Sequence, residues 1–351
     1  MLIRGINLEV PLIQGGMGVG VSLGGLAGAV AGEGAMGCIS TADSGYLEPD
    51  FDRSPFEANI RGLRKEIRKA KEIRGDKKGL IAINAMVATT QFEESVRAAV
   101  EEGIDAVISG AGLPLELPAY VPENGPLIAP IVSSARAAKV ILKSWERSYG
   151  RYPDFVVVEG YKAGGHLGFK KDDLLNGTCE ENTEIVPAVR EVLAAYEEKK
   201  GCRIPVFSAG GVWDHEDFLR ETGAGADGVQ AATRFIGTYE CDADQKYKDA
   251  LIRSGRDDLR IIKSPVGMPG RAVMSPLLEL VEKDGRKPPV KCSRCIKTCD
   301  PKTTPYCITQ ALIAAVKGDW ENGLFFSGDN AERLTRMEHV SDVIRDIVCG
   351  A

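Results

Sequence analysis

A histidine placed just after a carboxylate and a glycine pair is the sharpest chemical feature of this sequence. The stretch VVVEGYKAGGHLGF, residues 156–169, stops an apolar run at Glu159, passes Gly164 and Gly165, and sets His166, one of three histidines in the chain, on an expected loop. An imidazole with a near-neutral pKa can take a proton from a carbon acid or return one to a carbanion, which makes His166 the candidate catalytic residue. His215 and His339 lie in polar helical contexts that suit the surface. Glu159 could hold a ring N–H or a hydroxyl of a ligand, although a carboxylate at a strand end also caps turns. Lys162 on the same loop reads as a solvated charge.

Two further segments suit a phosphate. Ser208-Ala209-Gly210-Gly211-Val212 and Gln230-Ala231-Ala232-Thr233-Arg234 would follow the seventh and eighth strands of an alternating fold. There glycine lets backbone N–H groups approach an anion, and a helix start adds positive potential. The same glycines also serve plain strand-to-helix turns. A second cradle, Gln14-Gly15-Gly16-Met17-Gly18-Val19-Gly20, would admit a flat ring against the backbone, with Met17 as a soft apolar contact. Asn84, at the end of an apolar strand, could bond a heterocycle edge or form an Asx turn. A flat ring with one phosphate describes FMN.

Four of the nine cysteines, Cys292, Cys295, Cys299 and Cys307, are spaced C-x2-C-x3-C-x7-C. Thiolates at such spacing suit an iron–sulfur cluster or zinc as metal ligands, and the alternative is free structural thiols. The spacing does not match the common two-plus-two zinc pattern.

These residues must be positioned by repeated elements. Short apolar runs at 11–16, 35–40, 79–86, 105–110, 127–132, 154–159, 204–211 and 226–232 alternate with amphipathic stretches such as FEANIRGLRKEIRKAKEI. Eight such strands separated by helices predict a (β/α)8 TIM barrel, with an open doubly wound sheet as the alternative. Polar or glycine punctuation at nearly every strand's carboxyl end favours the barrel, and no Gly-x-Gly-x-x-Gly opens a helix after the first strand. We therefore expect residues 1–240 to form an FMN-binding barrel. Residues 241–351 are expected to form a helical and loop extension packed on it, carrying the cysteine cluster. KSPVGMPGRAVMSP is read there as a loop, and residues 160–183 as a long excursion on the catalytic face.

Composition narrows the function classes. Charged residues make up 27% of the 351, the net charge is −6, and no basic block interleaves with aromatics, so no nucleic-acid partner is expected. No run approaches membrane-spanning length and the amino terminus lacks a signal-peptide layout, so a cytoplasmic protein without a membrane partner is expected. A homo-oligomer is compatible with the sequence.

PLIQGGMG, INAM, ISGAGLP, EGYKAGGHLGF, PVFSAGGV and ADGVQAATRFIGT occur in the order of a known family. The chain resembles, over about residues 5–275, the FMN barrels that include nitronate monooxygenases (formerly 2-nitropropane dioxygenases) and flavin-type enoyl-ACP reductases. The resemblance implies that Gly15, Gly16 and Met17 line the flavin, that Asn84 contacts it, and that Glu159 and Gly164 sit beside the ring. It gives ribityl and phosphate binding to Gly210, Gly211, Gln230, Ala231, Ala232 and Thr233, and the active-site role to His166. The implied reaction is oxidation of alkyl nitronates to carbonyl compounds and nitrite. The alternatives are reduction of an enoyl thioester with NAD(P)H, and a flavin redox relay using the tail cysteines. Glu159 and Pro265–Arg271 resemble the reductase side.

Overall fold

The computed structural model describes residues 1–351. Eight parallel strands close into a barrel: β1 (Leu12–Gln14), β2 (Met36–Ser40), β3 (Leu80–Met86), β4 (Ala106–Gly110), β5 (Leu127–Val132), β6 (Val156–Glu159), β7 (Val206–Ala209) and β8 (Gly228–Ala231). Closure is made where β8 pairs with β1, Val229 opposite Leu12 and Gln230 opposite Ile13. The fold is the expected (β/α)8 barrel.

The apolar runs are continuous because both faces of each strand are covered. Ala106 and Ile108 of β4 pack inside the barrel, whereas Val107 between them packs under the helices. Phe155 and Phe207 meet edge to face inside, their centroids 5.5 Å apart, and Ile3 and Leu8 of the amino-terminal hairpin close the floor. Each such fully buried side chain contributes roughly 1.5–3 kcal/mol. The outer layer includes Pro55–Arg74, Phe92–Glu101, Ala135–Tyr149, Asn182–Lys200 and His215–Gly223.

After β8 the barrel has only the short helix Thr233–Ile236. The chain's last helix, Val340–Cys349, supplies the missing cover by packing Val340, Val343, Ile344 and Ile347 with Leu12, Val229 and Phe235. Buried Arg234 ties the two together through Glu338 and Asp346.

The segment read as a Pro/Gly-rich loop is in part a strand. Pro269–Val273 pairs antiparallel with Leu259–Lys263, and only residues 264–268 form the turn. Gly270 suits this strand because its backbone lies close to Gly165. The same sheet recruits Gly165–His166 and Phe325–Phe326. The 160–183 excursion also carries the short helix Lys171–Asn176.

Candidate active site

One cleft opens at the carboxyl ends of the strands, where barrel sites form. His166, Gly15, Gly16, Met17, Asn84, Glu159, Gly164, Gly210, Gly211, Gln230, Ala231, Ala232 and Thr233 all line it. Its empty space, counted to the open mouth, is about 1800 Å³.

The barrel and the extension build the His166 site together. Gly165, at φ +70, turns the chain so that His166 registers opposite Gly270, and Leu167 N–H donates to Pro269 O at 2.9 Å. Gly164 passes so close to Ser327 and Gly328 that a Cβ there would lie 2.5 Å from the Ser327 carbonyl carbon. Buried Arg271 clamps the loop by donating to Tyr161 O at 2.7 Å and Ala163 O at 2.9 Å. His166 Nε2 lies 2.7 Å from Ser264 Oγ, and its ring stands edge-on to Phe326 with centroids 5.1 Å apart.

Ser264 Oγ already accepts from Val266 N–H at 3.3 Å. Ser264 Oγ keeps both its proton and a second lone pair for Nε2, so the contact suits either neutral tautomer, and Nδ1 has no protein partner. Burial pushes the imidazole down to about 4, so His166 is neutral at physiological pH. Glu159 faces the same cleft without a protein partner, and burial alone pushes its carboxyl up to about 7.

Asn84 makes no side-chain hydrogen bond of the Asx-turn kind, and β1's loop lies tightly on it: a Cβ on Gly16 would be 2.4 Å from Asn84 Cβ. Gln230 Oε1 is buried and has no partner. Gly210 and Gly211 hold φ +97 and +87, and Thr233 Oγ1 accepts from Gly328 N–H at 2.9 Å. An orphaned acceptor, unpartnered polar groups and glycine turns around one cleft fit the expected flavin. Arg234 of the same motif points away from it, into the last helix.

The cysteine expectation is corrected. No three His, Cys, Asp or Glu side chains converge as metal ligands, and all nine thiols are free. The segment is instead held by packing and backbone pairing. Ile296 is buried and bridges to Thr89, Cys295 and Cys299 pack beside the extension core, and Cys307 is the residue before helix Ile308–Val316. Cys292 is exposed, and of the four only Cys295 lines the cleft. Sequence reasoning missed Ser264, the buried partner of His166, and Phe326 and Asp43 in the cleft lining, because no local spacing marks contacts made across the fold.

Comparison with known proteins agrees with this architecture. The family model for nitronate monooxygenase matches residues 1–350. A probable nitronate monooxygenase of Bacillus subtilis is 25% identical over 293 residues, 78% of this chain and 79% of that protein. The (3aS,4S,5R,7aS)-5-hydroxy-7a-methyl-1-oxo-octahydro-1H-indene-4-carboxyl-CoA dehydrogenase of Mycobacterium tuberculosis is 25% identical over 281 residues, 80% of this chain and 68% of that protein. The structure of FabK from Thermotoga maritima superposes with a TM-score of 0.72 at 25% identity, covering 97% of this chain and 92% of that one. No helix here is long and apolar enough to cross a membrane. With a family match spanning the chain and a cleft of this construction, the protein belongs to the nitronate monooxygenase family and is an FMN-dependent oxidoreductase.

Proposed function

We propose that the protein oxidises alkyl nitronates to carbonyl compounds and nitrite, with dioxygen as the terminal oxidant and the co-reactant that supplies the carbonyl oxygen. The observation that carries this reading is a buried, neutral His166 whose Nε2 is engaged by Ser264 and whose Nδ1 has no protein partner, so that the tautomer protonated at Nδ1 offers a free N–H to a ligand. A nitronate is a carbon acid already deprotonated, so it needs a hydrogen-bond donor at its oxygens more than a strong base. Nδ1–H supplies that donor in a site where burial strengthens the bond.

The flavin would be held by Gly15, Gly16, Met17 and Asn84 along the ring and by Gly210, Gly211, Gln230, Ala231, Ala232 and Thr233 along ribityl and phosphate. When bound it supplies the electron acceptor. Glu159, whose carboxyl burial pushes up to about 7 and so leaves partly protonated near neutrality, would then donate to a ring or ribityl oxygen. Phe326, edge-on to His166, and Val266 make the lining beside the imidazole apolar.

A second reading, reduction of an enoyl thioester with NAD(P)H, is favoured by Glu159, by the 265–271 segment and by the likeness to FabK. Against it, Lys162 is the one Lys or Arg lining the cleft, a poor complement to the phosphates of a thioester carrier. The two readings separate in an aerobic assay. Nitrite release from propyl-1-nitronate without NAD(P)H supports the first, whereas NAD(P)H oxidation dependent on an enoyl thioester, with no nitrite, supports the second.

A further inference from the structure

Beyond His166 the cleft continues beneath the extension. Val266, Ile296, Ile308, Leu312 and Phe326 give this arm an apolar wall, and Asp43, Thr309 and Ser293 add polar groups to it. None of these polar groups is among the residues assigned above to the flavin or set beside His166.

Asp43 follows β2 and holds φ +43, a left-handed conformation that costs a non-glycine residue of order 1 kcal/mol or more. Its Oδ2 accepts from Thr309 Oγ1 at 2.6 Å and its Oδ1 from Asn59 Nδ2 at 3.4 Å. A carboxylate offers about four acceptor positions, so roughly half remain open. No Lys, Arg or His pairs with it, and burial holds its pKa above the usual range against these two neutral donors. Ser293 Oγ is buried with no well-aligned partner, and the Cys295 thiol lies beside both it and Thr309. Thr309 Oγ1 spends its proton on Asp43 and keeps its lone pairs. The arm therefore presents oxygen acceptors beside one thiol, Cys295, which burial pushes up to about 11 and so keeps neutral, and no countercharge; Lys162 is engaged elsewhere with Glu181 at 2.9 Å. Such a carboxylate is costly to bury until a cation joins it.

We propose that this arm is a subsite for a protonated amine on the substrate, with Asp43, Thr309 and Ser293 accepting its three N–H bonds. The reacting carbon then lies at His166, and an apolar spacer lies along Val266, Ile296 and Leu312. The proposal deepens the oxidative reading and rests on the cleft being its substrate site.

The test uses the flavin-loaded protein and follows flavin absorbance while titrating n-pentylamine and, separately, 1-pentanol at pH 7.5. The amine should bind at least about tenfold tighter, as a charge-assisted contact requires. Asp43→Asn and Thr309→Val should each reduce that preference to near unity while leaving pentanol affinity unchanged. Equal affinities, no saturable response to the amine, or a preference that survives in a folded Asp43→Asn protein would overturn the subsite. The wild-type comparison decides even if the variants fail to fold. Anaerobic mixing with propyl-1-nitronate keeps the two claims apart. Flavin reduction without amine preference removes only the subsite, and amine preference without flavin reduction removes only the oxidative reading.

Discussion

His166 and Glu159 share one cleft with protonation equilibria displaced in opposite directions, the imidazole down to about 4 and the carboxyl up to about 7, both by burial. Their effects on stability oppose each other. Folded Glu159 keeps a proton that the unfolded chain releases near 4.5, so its contribution is lost as pH rises toward 7. Folded His166 refuses a proton that the unfolded chain takes up near 6.5, so its contribution is lost as pH falls toward 4. Glu159→Gln should leave urea-unfolding stability of the flavin-free protein nearly unchanged at pH 5 and raise it by roughly 1–3 kcal/mol at pH 8. An equal effect at both pH values would contradict the account. Ser264→Ala should retain flavin yet lower the rate of flavin reduction by about tenfold, through loss of imidazole orientation, in rapid-mixing measurements. His166, Glu159 and the glycines were legible in the sequence because a parallel alternation puts strand ends at the site. Ser264 was not, since it meets His166 from 98 positions away. Thr309 meets Asp43 across 266. The cysteine spacing misled because it reflects packing of the extension, not ligand convergence.

At the scale of elements, the extension caps and pairs with parts of the barrel that lack partners of their own. Helix Gly24–Gly32 has Leu23 at its N-cap and no side-chain cap there. Asp242 supplies one from afar, accepting from Leu23 N–H at 2.8 Å, Gly25 N–H at 3.0 Å and Leu26 N–H at 3.0 Å, while Lys69 Nζ pairs with it at 2.9 Å. Asp242→Ala should cost about 2–3 kcal/mol in urea unfolding, with Asp242→Asn recovering part of the loss. A change below about 0.5 kcal/mol would show that the cap carries little. The eight strands were legible from continuous apolar runs. Pro269–Val273 was not, because Pro269 and Gly270 are turn-forming residues by local preference and become a strand only by pairing with residues 259–263 and 165–166.

Across the whole molecule, the last helix closes the outer ring and the extension contributes to the cleft lining, so barrel and tail together build the cleft. Deleting residues 340–351 would expose Leu12, Val229 and Phe235. The shortened chain should therefore bind a hydrophobic dye and elute as aggregate in size-exclusion chromatography, whereas a dye-negative monomer would contradict that role. The catalytic claim is that neutral His166, held by Ser264, presents a nitronate to the flavin. It is tested most directly by anaerobic stopped-flow mixing of the oxidised holoprotein with propyl-1-nitronate, followed by flavin absorbance. We predict that the wild-type flavin is reduced without NAD(P)H, and that His166→Ala, still loaded with flavin, is reduced at least about 100-fold more slowly. A wild-type flavin left oxidised by the nitronate, or an unchanged rate in His166→Ala, would contradict the account.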